Sequence, residues 1–341
     1  MNELLSFVAA GAALAWALPR ARARALLSRA KHRSLGGHSR WSRRVAALIG
    51  YYGYDESGFF TADGAPADIA ASRRDGLRGI AGVIRASSPE TLAATAALRS
   101  AVPDLEFTSL YRVPFQFREV LGRELQLGGF AVASHGVRLR DLDGNESIDL
   151  GGAYGVNVFG YDFYKECIAA GARRAEALGP VLGPYHPVVS YNVARLCEIS
   201  GFDAVSFHMS GTEAVMQAVR LARYHTRRTH LVRFCGAYHG WWGDVQPGIG
   251  NPVDAPHTYT LSEMSPAALR VLDTRRDIAC VLVNPLQALH PNAPAPGDGS
   301  LLDGSRRAHF DRAAYSAWLA RLREVCSRRG IVLIFDEVFM G

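Results

Sequence analysis

Four short apolar runs constrain this chain more than any other feature: AVSFHM (204–209), HLVRFC (230–235), ACVLVNP (279–285) and IVLIFDEV (331–338). A strand that is apolar on both faces needs cover on both. The segments at 211–226 and near 315–329 have the spacing of helices. Short apolar strands separated by helices predict an α/β fold, a mostly parallel sheet with helices on both faces. In such sheets ligands sit beyond the carboxyl ends of the strands, so the residues that follow each run are the candidates for chemistry.

A chain of 341 residues with 48% hydrophobic, 10% aromatic and 21% charged residues can bury a large core. That composition excludes wholesale disorder, a coiled coil and a collagen-like fibre. The net charge of +6 is uneven: residues 1–50 hold nine Arg/Lys against one acid, Glu3, and the remainder holds 29 basic and 31 acidic residues. Because phosphate-backbone binding needs clustered cations on a folded face, no nucleic-acid partner is expected. Five cysteines with no C-x-x-C pair predict neither a disulfide framework nor a thiolate metal site, and they fit a reducing cytoplasm.

The basic tail begins with the apolar run LLSFVAAGAALAWAL at residues 4–18. A bilayer span takes about 20 residues and a signal peptide carries positive charge before its apolar stretch, so the run fits neither pattern well. Two readings stay open: a short anchor giving weak membrane association, or an Ala-rich helix that packs on the body or frays. Domain organisation is expected as an apolar and basic tail (1–44), a helical extension (45–114), the start of a small N-terminal sheet segment (115–160) and a large domain (161–341). Ser88-Pro89-Glu90-Thr91 reads as a helix start with proline in the first turn. RDLDGNESIDL (140–150) has hairpin alternation around Asp143-Gly144-Asn145, and GGAYGVNVFG (151–160) is a glycine-rich loop.

Three strand ends carry unusual residues. Ser210-Gly211-Thr212-Glu213 joins the first run to a helix. Ser210 with Glu213 forms a capping-box pattern, which is either structural or, with Gly211 allowing close approach and free N–H groups at the helix start, a phosphate site. Gly236-Ala237-Tyr238-His239-Gly240-Trp241-Trp242 follows the second run. It is either a packed aromatic corner or a ring presented to a planar ligand. Asp336-Glu337 ends the last run, and a carboxylate there needs a cation, a helix cap or an arginine to offset burial. A protonated pyridine nitrogen is one such cation. Taken together, a phosphate cup, an aromatic 28 residues later and a carboxylate 98 residues after that are the layout of a pyridoxal phosphate site.

SGTEAVMQAVRLAR (210–223), FCGAYHG (234–240) and LIFDEV (333–338) resemble the class III aminotransferases of fold type I, especially the glutamate-1-semialdehyde aminomutase-like branch. The resemblance extends over about residues 115–341. It implies pyridoxal 5′-phosphate as cofactor, a small amino or keto substrate, and a homodimer with its site at the subunit interface. Ser210, Gly211 and Thr212 would hold the phosphate, Tyr238 would stack on the ring with His239 beside it, Asp336 would pair with the ring nitrogen as the catalytic carboxylate, and Val338 would pack on the other ring face. Phe339 stands where ω-amino-acid aminotransferases usually have Gln and aminomutases Met, which favours the aminomutase side, and Asn284-Pro285 stands where the family commonly has Glu-Pro. The family's cofactor-linking lysine would follow Asp336, whereas this chain holds only Lys31 and Lys165 and ends at Gly341. The expectation is therefore a truncated amino-group transferase, with a non-catalytic cofactor-binding or partner-binding subunit as the alternative.

Overall fold

A computed structural model of the chain describes residues 2–31, 55–99, 101–103, 105, 117–153, 155–235, 237–245, 255–285 and 311–338, with backbone alone for 2–10. The expectations that rest on residues 32–54, 106–116, Gly236 and Phe339 lie outside the described residues. Two compact units result, residues 1–50 with 206–341, and residues 51–205.

In the first unit, β4 (His230–Phe234), β5 (Thr258–Leu261), β6 (Ile278–Val283) and β7 (Val332–Phe335) form a parallel sheet in the order β5-β4-β6-β7. All six residues of β6 are buried, as its unbroken apolar run IACVLV requires of a central strand. One face packs on α1 (Asn2–Ala30), α9 (Pro266–Thr274) and α10 (Arg312–Arg329), with Trp318, Phe234, Leu272 and Leu322 at its centre. The other face is covered by α8 (Gly211–Thr226) through Val215, Val219 and Ala222. The fold is thus the expected α/β arrangement with helices on both sides.

Helix boundaries follow local chemistry. Asp311 caps α10, its Oδ1 accepting the Ala314 N–H at 2.9 Å, and Gly330 ends the helix in the left-handed region at φ +60°. Replacing Asp311 by alanine is expected to cost about 1 kcal/mol, read as a lower urea midpoint, with Asp311→Asn close to the parent. An unchanged midpoint for the alanine variant would show that the cap is redundant.

One expected strand is absent. Residues 204–209 (AVSFHM) adopt no strand conformation, and Phe207 and Met209 stay exposed. A strand needs a neighbour to take its N–H and C=O groups, and no described strand pairs with this run. Conversely, β5 was missed because TYTL carries two threonines in a run of four and no long apolar signal.

The tail is helical through residue 30. It packs on the body by its last turn, where Leu27 and Ala30 join the core and the Ala30 carbonyl accepts the Ser262 N–H at 2.8 Å. Leu14, Trp16 and Leu18 are exposed. Among the described residues no helix is long and apolar enough to cross a membrane.

The second unit contains α2 (Glu56–Phe60), α3 (Ala67–Ser87), α4 (Pro89–Arg99), α5 (Arg118–Glu124), α6 (Tyr161–Glu176) and α7 (Val188–Ser200). Beside them is the antiparallel sheet β1 (Ala133–His135), β2 (Arg138–Arg140), β3 (Glu146–Ile148). The 140–150 turn forms as its sequence predicts, with Gly144 at φ +85°. Its Asp143 also accepts the N–H groups of Glu90 and Thr91 at 2.8 Å each, so a hairpin 52 residues away satisfies the open start of α4. Those hydrogen bonds hold the Asp143 carboxyl below the usual range in spite of the opposing desolvation.

Candidate active site

The seven residues to which the resemblance assigns roles, Ser210, Gly211, Thr212, Tyr238, His239, Asp336 and Val338, line one cleft of the first unit together with Gly240 and Trp241, whereas Glu213, Ala237, Trp242 and Glu337 of the same segments do not. Its volume is about 280 Å³, at the small end of ligand pockets. The cleft lies beyond the carboxyl ends of β4 and β7, where an α/β sheet places its ligands.

Ser210 caps α8 in an extended conformation, φ −154° and ψ 159°, and its Oγ accepts the Glu213 N–H at 3.2 Å. The reciprocal arm of the expected capping box closes one residue earlier: Glu213 Oε2 accepts from the Met209 N–H at 2.9 Å, not from Ser210. That leaves Ser210 and Gly211 at the positive end of the helix macrodipole. A Cβ added to Gly211 would lie 3.2 Å from Val338 Cγ2, a tight contact that an alanine there would relieve only by shifting Val338.

The loop after β4 is fixed to its surroundings by side chains. The Trp241 N–H donates to Thr212 Oγ1 at 3.3 Å, and Gly240, at φ +88°, passes so close to Thr212 that an added Cβ would lie 2.3 Å from Oγ1. Tyr238 is half exposed and meets Trp241 edge to face, centroids 6.1 Å apart. His239 is buried, and its Nδ1–H donates to Asp336 Oδ2 at 2.8 Å. Its other ring nitrogen, Nε2, is buried without a hydrogen-bond partner. Asp336 is only 8% exposed, and its Oδ1 also accepts the Val338 N–H at 3.3 Å. Among the described residues the side chain that donates to Asp336 is thus an imidazole, not an arginine.

Neither lysine is among the residues that line the cleft. Lys165 donates to the Ser134 carbonyl from α6, and Lys31 follows the end of α1, where burial pushes its amine below the usual range. Gly240 and Trp241 were missed as site residues because their role is steric and backbone-borne, although both stand in the quoted loop. Among the described residues no group of three His, Cys, Asp or Glu side chains could hold a metal ion.

Comparison with known proteins points to one family. Residues 123–246 match the family profile described as Aminotransferase class-III. Glutamate-1-semialdehyde 2,1-aminomutase of Citrifermentans bemidjiense is 30% identical over 231 residues, 62% of this chain and 49% of that protein. The enzyme of the same name from Bordetella avium is 33% identical over 223 residues, 60% of this chain and 47% of that protein. The chain therefore spans about half the length of these curated relatives. A glutamate-1-semialdehyde aminomutase structure from Pseudomonas aeruginosa superposes with TM-score 0.58 at 20% identity, over 78% of this chain and 55% of that one. An ω-transaminase from Sphaerobacter thermophilus gives 0.55 at 23%, over 75% and 56%. At these identities the structural likeness establishes the fold. Residues 123–246 thus resemble the class-III aminotransferase profile, and the chain has the α/β fold of these solved transferases.

Proposed function

We propose that this chain is the cofactor-binding portion of an enzyme that moves amino groups with pyridoxal 5′-phosphate, in the manner of glutamate-1-semialdehyde aminomutases or class-III transaminases. The observation that carries the reading is the meeting of a helix N-terminus with two hydroxyls, an aromatic ring and a buried carboxylate in one cleft, from three segments far apart in sequence. The residues fit such a cofactor. Gly240 keeps the wall clear where a side chain would collide with Thr212, and the buried Nε2 of His239 stands without a partner.

Ser210, Gly211 and Thr212 would hold the phosphate through hydroxyls and helix N–H groups. Tyr238 would lie against one ring face and Val338 against the other. Asp336 would keep the ring nitrogen protonated, and His239, bonded to its Oδ2, fixes how that carboxylate is turned. When bound, the cofactor supplies an electron sink for the carbon that carries the amino group. The substrate is a small amino or keto compound. Phe339 in the quoted motif favours the aminomutase side.

Exposed Tyr238, Trp241, Phe335 and Val338 at the strand ends support a homodimer that covers them. Five free thiols fit a cytoplasmic setting. Residues 161–341 are proposed as the large domain, 115–160 as the start of the small sheet segment and 45–114 as its helical extension. A second reading, a non-catalytic cofactor-binding subunit, is favoured by the absence of both lysines from the cleft lining.

The test is a titration of the chain with pyridoxal phosphate, followed by absorbance and Trp fluorescence, then borohydride and intact mass. Saturable binding without covalent labelling is expected. Turnover of glutamate-1-semialdehyde or of an amino donor by the loaded chain would remove the non-catalytic reading, and no binding at all would remove both.

A further inference from the structure

Arg233 sits within β4, paired with Thr260 of β5 and Leu282 of β6. By strand alternation it shares the face of Leu231, which packs toward α8. The residue is 8% exposed. Its Nη2 donates to the Ala237 carbonyl at 3.1 Å, while Nε is buried with no partner. No carboxylate pairs with it among the described residues. Burial lowers its pKa to about 10, which leaves it cationic at neutral pH.

A buried cation with so little compensation is costly unless an anion comes to it or its geometry is needed. The second condition is met here. The loop that carries Tyr238 and His239 is held at three points: Ala237 by Arg233, His239 by Asp336 and Trp241 by Thr212. Tyr238 stands between the first two. The other two pins belong to residues the sequence already singles out, whereas Arg233 lies outside the cleft lining.

We infer that Arg233 is a positioning residue with a second, electrostatic role: it pins the Ala237 carbonyl so that Tyr238 and His239 face the cleft, and its buried charge makes the cleft prefer a phosphate-bearing ligand over the same ligand without phosphate. The inference rests on the function proposed above. Charge at this depth is weakly screened, so its influence reaches past the loop.

The test uses the full chain, with pyridoxal phosphate and pyridoxal as separate probes, and reads affinity from Trp fluorescence. In Arg233→Met the preference for the phosphorylated ligand is expected to fall about tenfold with the far-UV spectrum retained. In Arg233→Lys the preference is retained while both ligands bind more weakly, since an ammonium cannot reproduce the planar guanidinium contact. An unchanged preference in Arg233→Met overturns the electrostatic role. Should that variant not fold, Arg233→Lys decides alone: a lost preference or wild-type affinity for both ligands overturns the inference. A parent chain that binds neither ligand overturns the functional reading itself, an outcome distinct from a binding parent whose Arg233 variants behave identically to it.

Discussion

Asp336→Ala is expected to destabilise the first unit by about 3 kcal/mol and to abolish retention of pyridoxal phosphate. The side chain it removes accepts the Nδ1–H of His239, a ring whose Nε2 already lacks a partner. The imidazole would then be buried with neither nitrogen bonded. A neutral orphan of that kind costs about 1–3 kcal/mol and a charged one about 3–5, which brackets the figure. Asp336→Asn separates the two roles. It keeps the size and an acceptor oxygen for Nδ1–H, so its stability loss is expected near 1 kcal/mol, yet it lacks the negative charge that suits a protonated ring nitrogen. Urea unfolding and cofactor titration on both variants check this. If the alanine variant unfolds with the parent, the His239 pair carries no structural weight, and if the asparagine variant binds cofactor as tightly as the parent, Asp336 does not serve the ring.

Gly240→Ala is expected to lose about 2–5 kcal/mol of stability and most of the cofactor affinity. At φ +88° a side chain is strained by about 1–2 kcal/mol before any contact is considered. The new Cβ would also fall 2.3 Å from Thr212 Oγ1 and 3.0 Å from Thr212 Cα, and the repacking this forces adds about 1–3 kcal/mol. Thr212 has little room to retreat, because the Trp241 N–H is bonded to that same Oγ1. The displacement therefore reaches the Ser210-Gly211-Thr212 start of α8 directly. Gly243→Ala, with nothing within 4 Å of its added Cβ, serves as a control with little effect. The double variant Gly240→Ala, Thr212→Ala should recover part of the lost stability, since the closest atom is gone. A single variant as stable as Gly243→Ala would show that the loop moves freely.

What the sequence conveyed about this fold follows from where the signals were strong. The helix at 211–226 and the runs that become β4, β6 and β7 declare themselves through periodicity and unbroken apolarity, because a central parallel strand has no polar face to offer. Residues 204–209 carry the same signal and form no strand, since apolarity states a need for burial and says nothing of whether a neighbour exists to pair with. The opposite error occurs at β5, where Thr258 and Thr260 dilute the run and register against β4 supplies what composition lacks. At the cleft, residues with distinctive chemistry were legible from their order alone. Arg233, Gly240 and the His239–Asp336 bond were not, because each depends on a through-space approach: 233 to 237 across a turn, 240 to 212, and 239 to 336.

The sheet order has a kinetic consequence. β4 pairs with β6, whose partner residues lie nearly fifty positions later, and β6 with β7, about fifty later again. Parallel pairings of that span close large loops before any contact repays them, so they form slowly and late. The cleft draws on residues 210–212, 238–241 and 336–338, which come together only when β7 docks. A refolding chain thus passes through most of its assembly with nothing to offer the cofactor. Added pyridoxal phosphate should leave early folding phases untouched and stabilise only the finished state, by mass action on the last step.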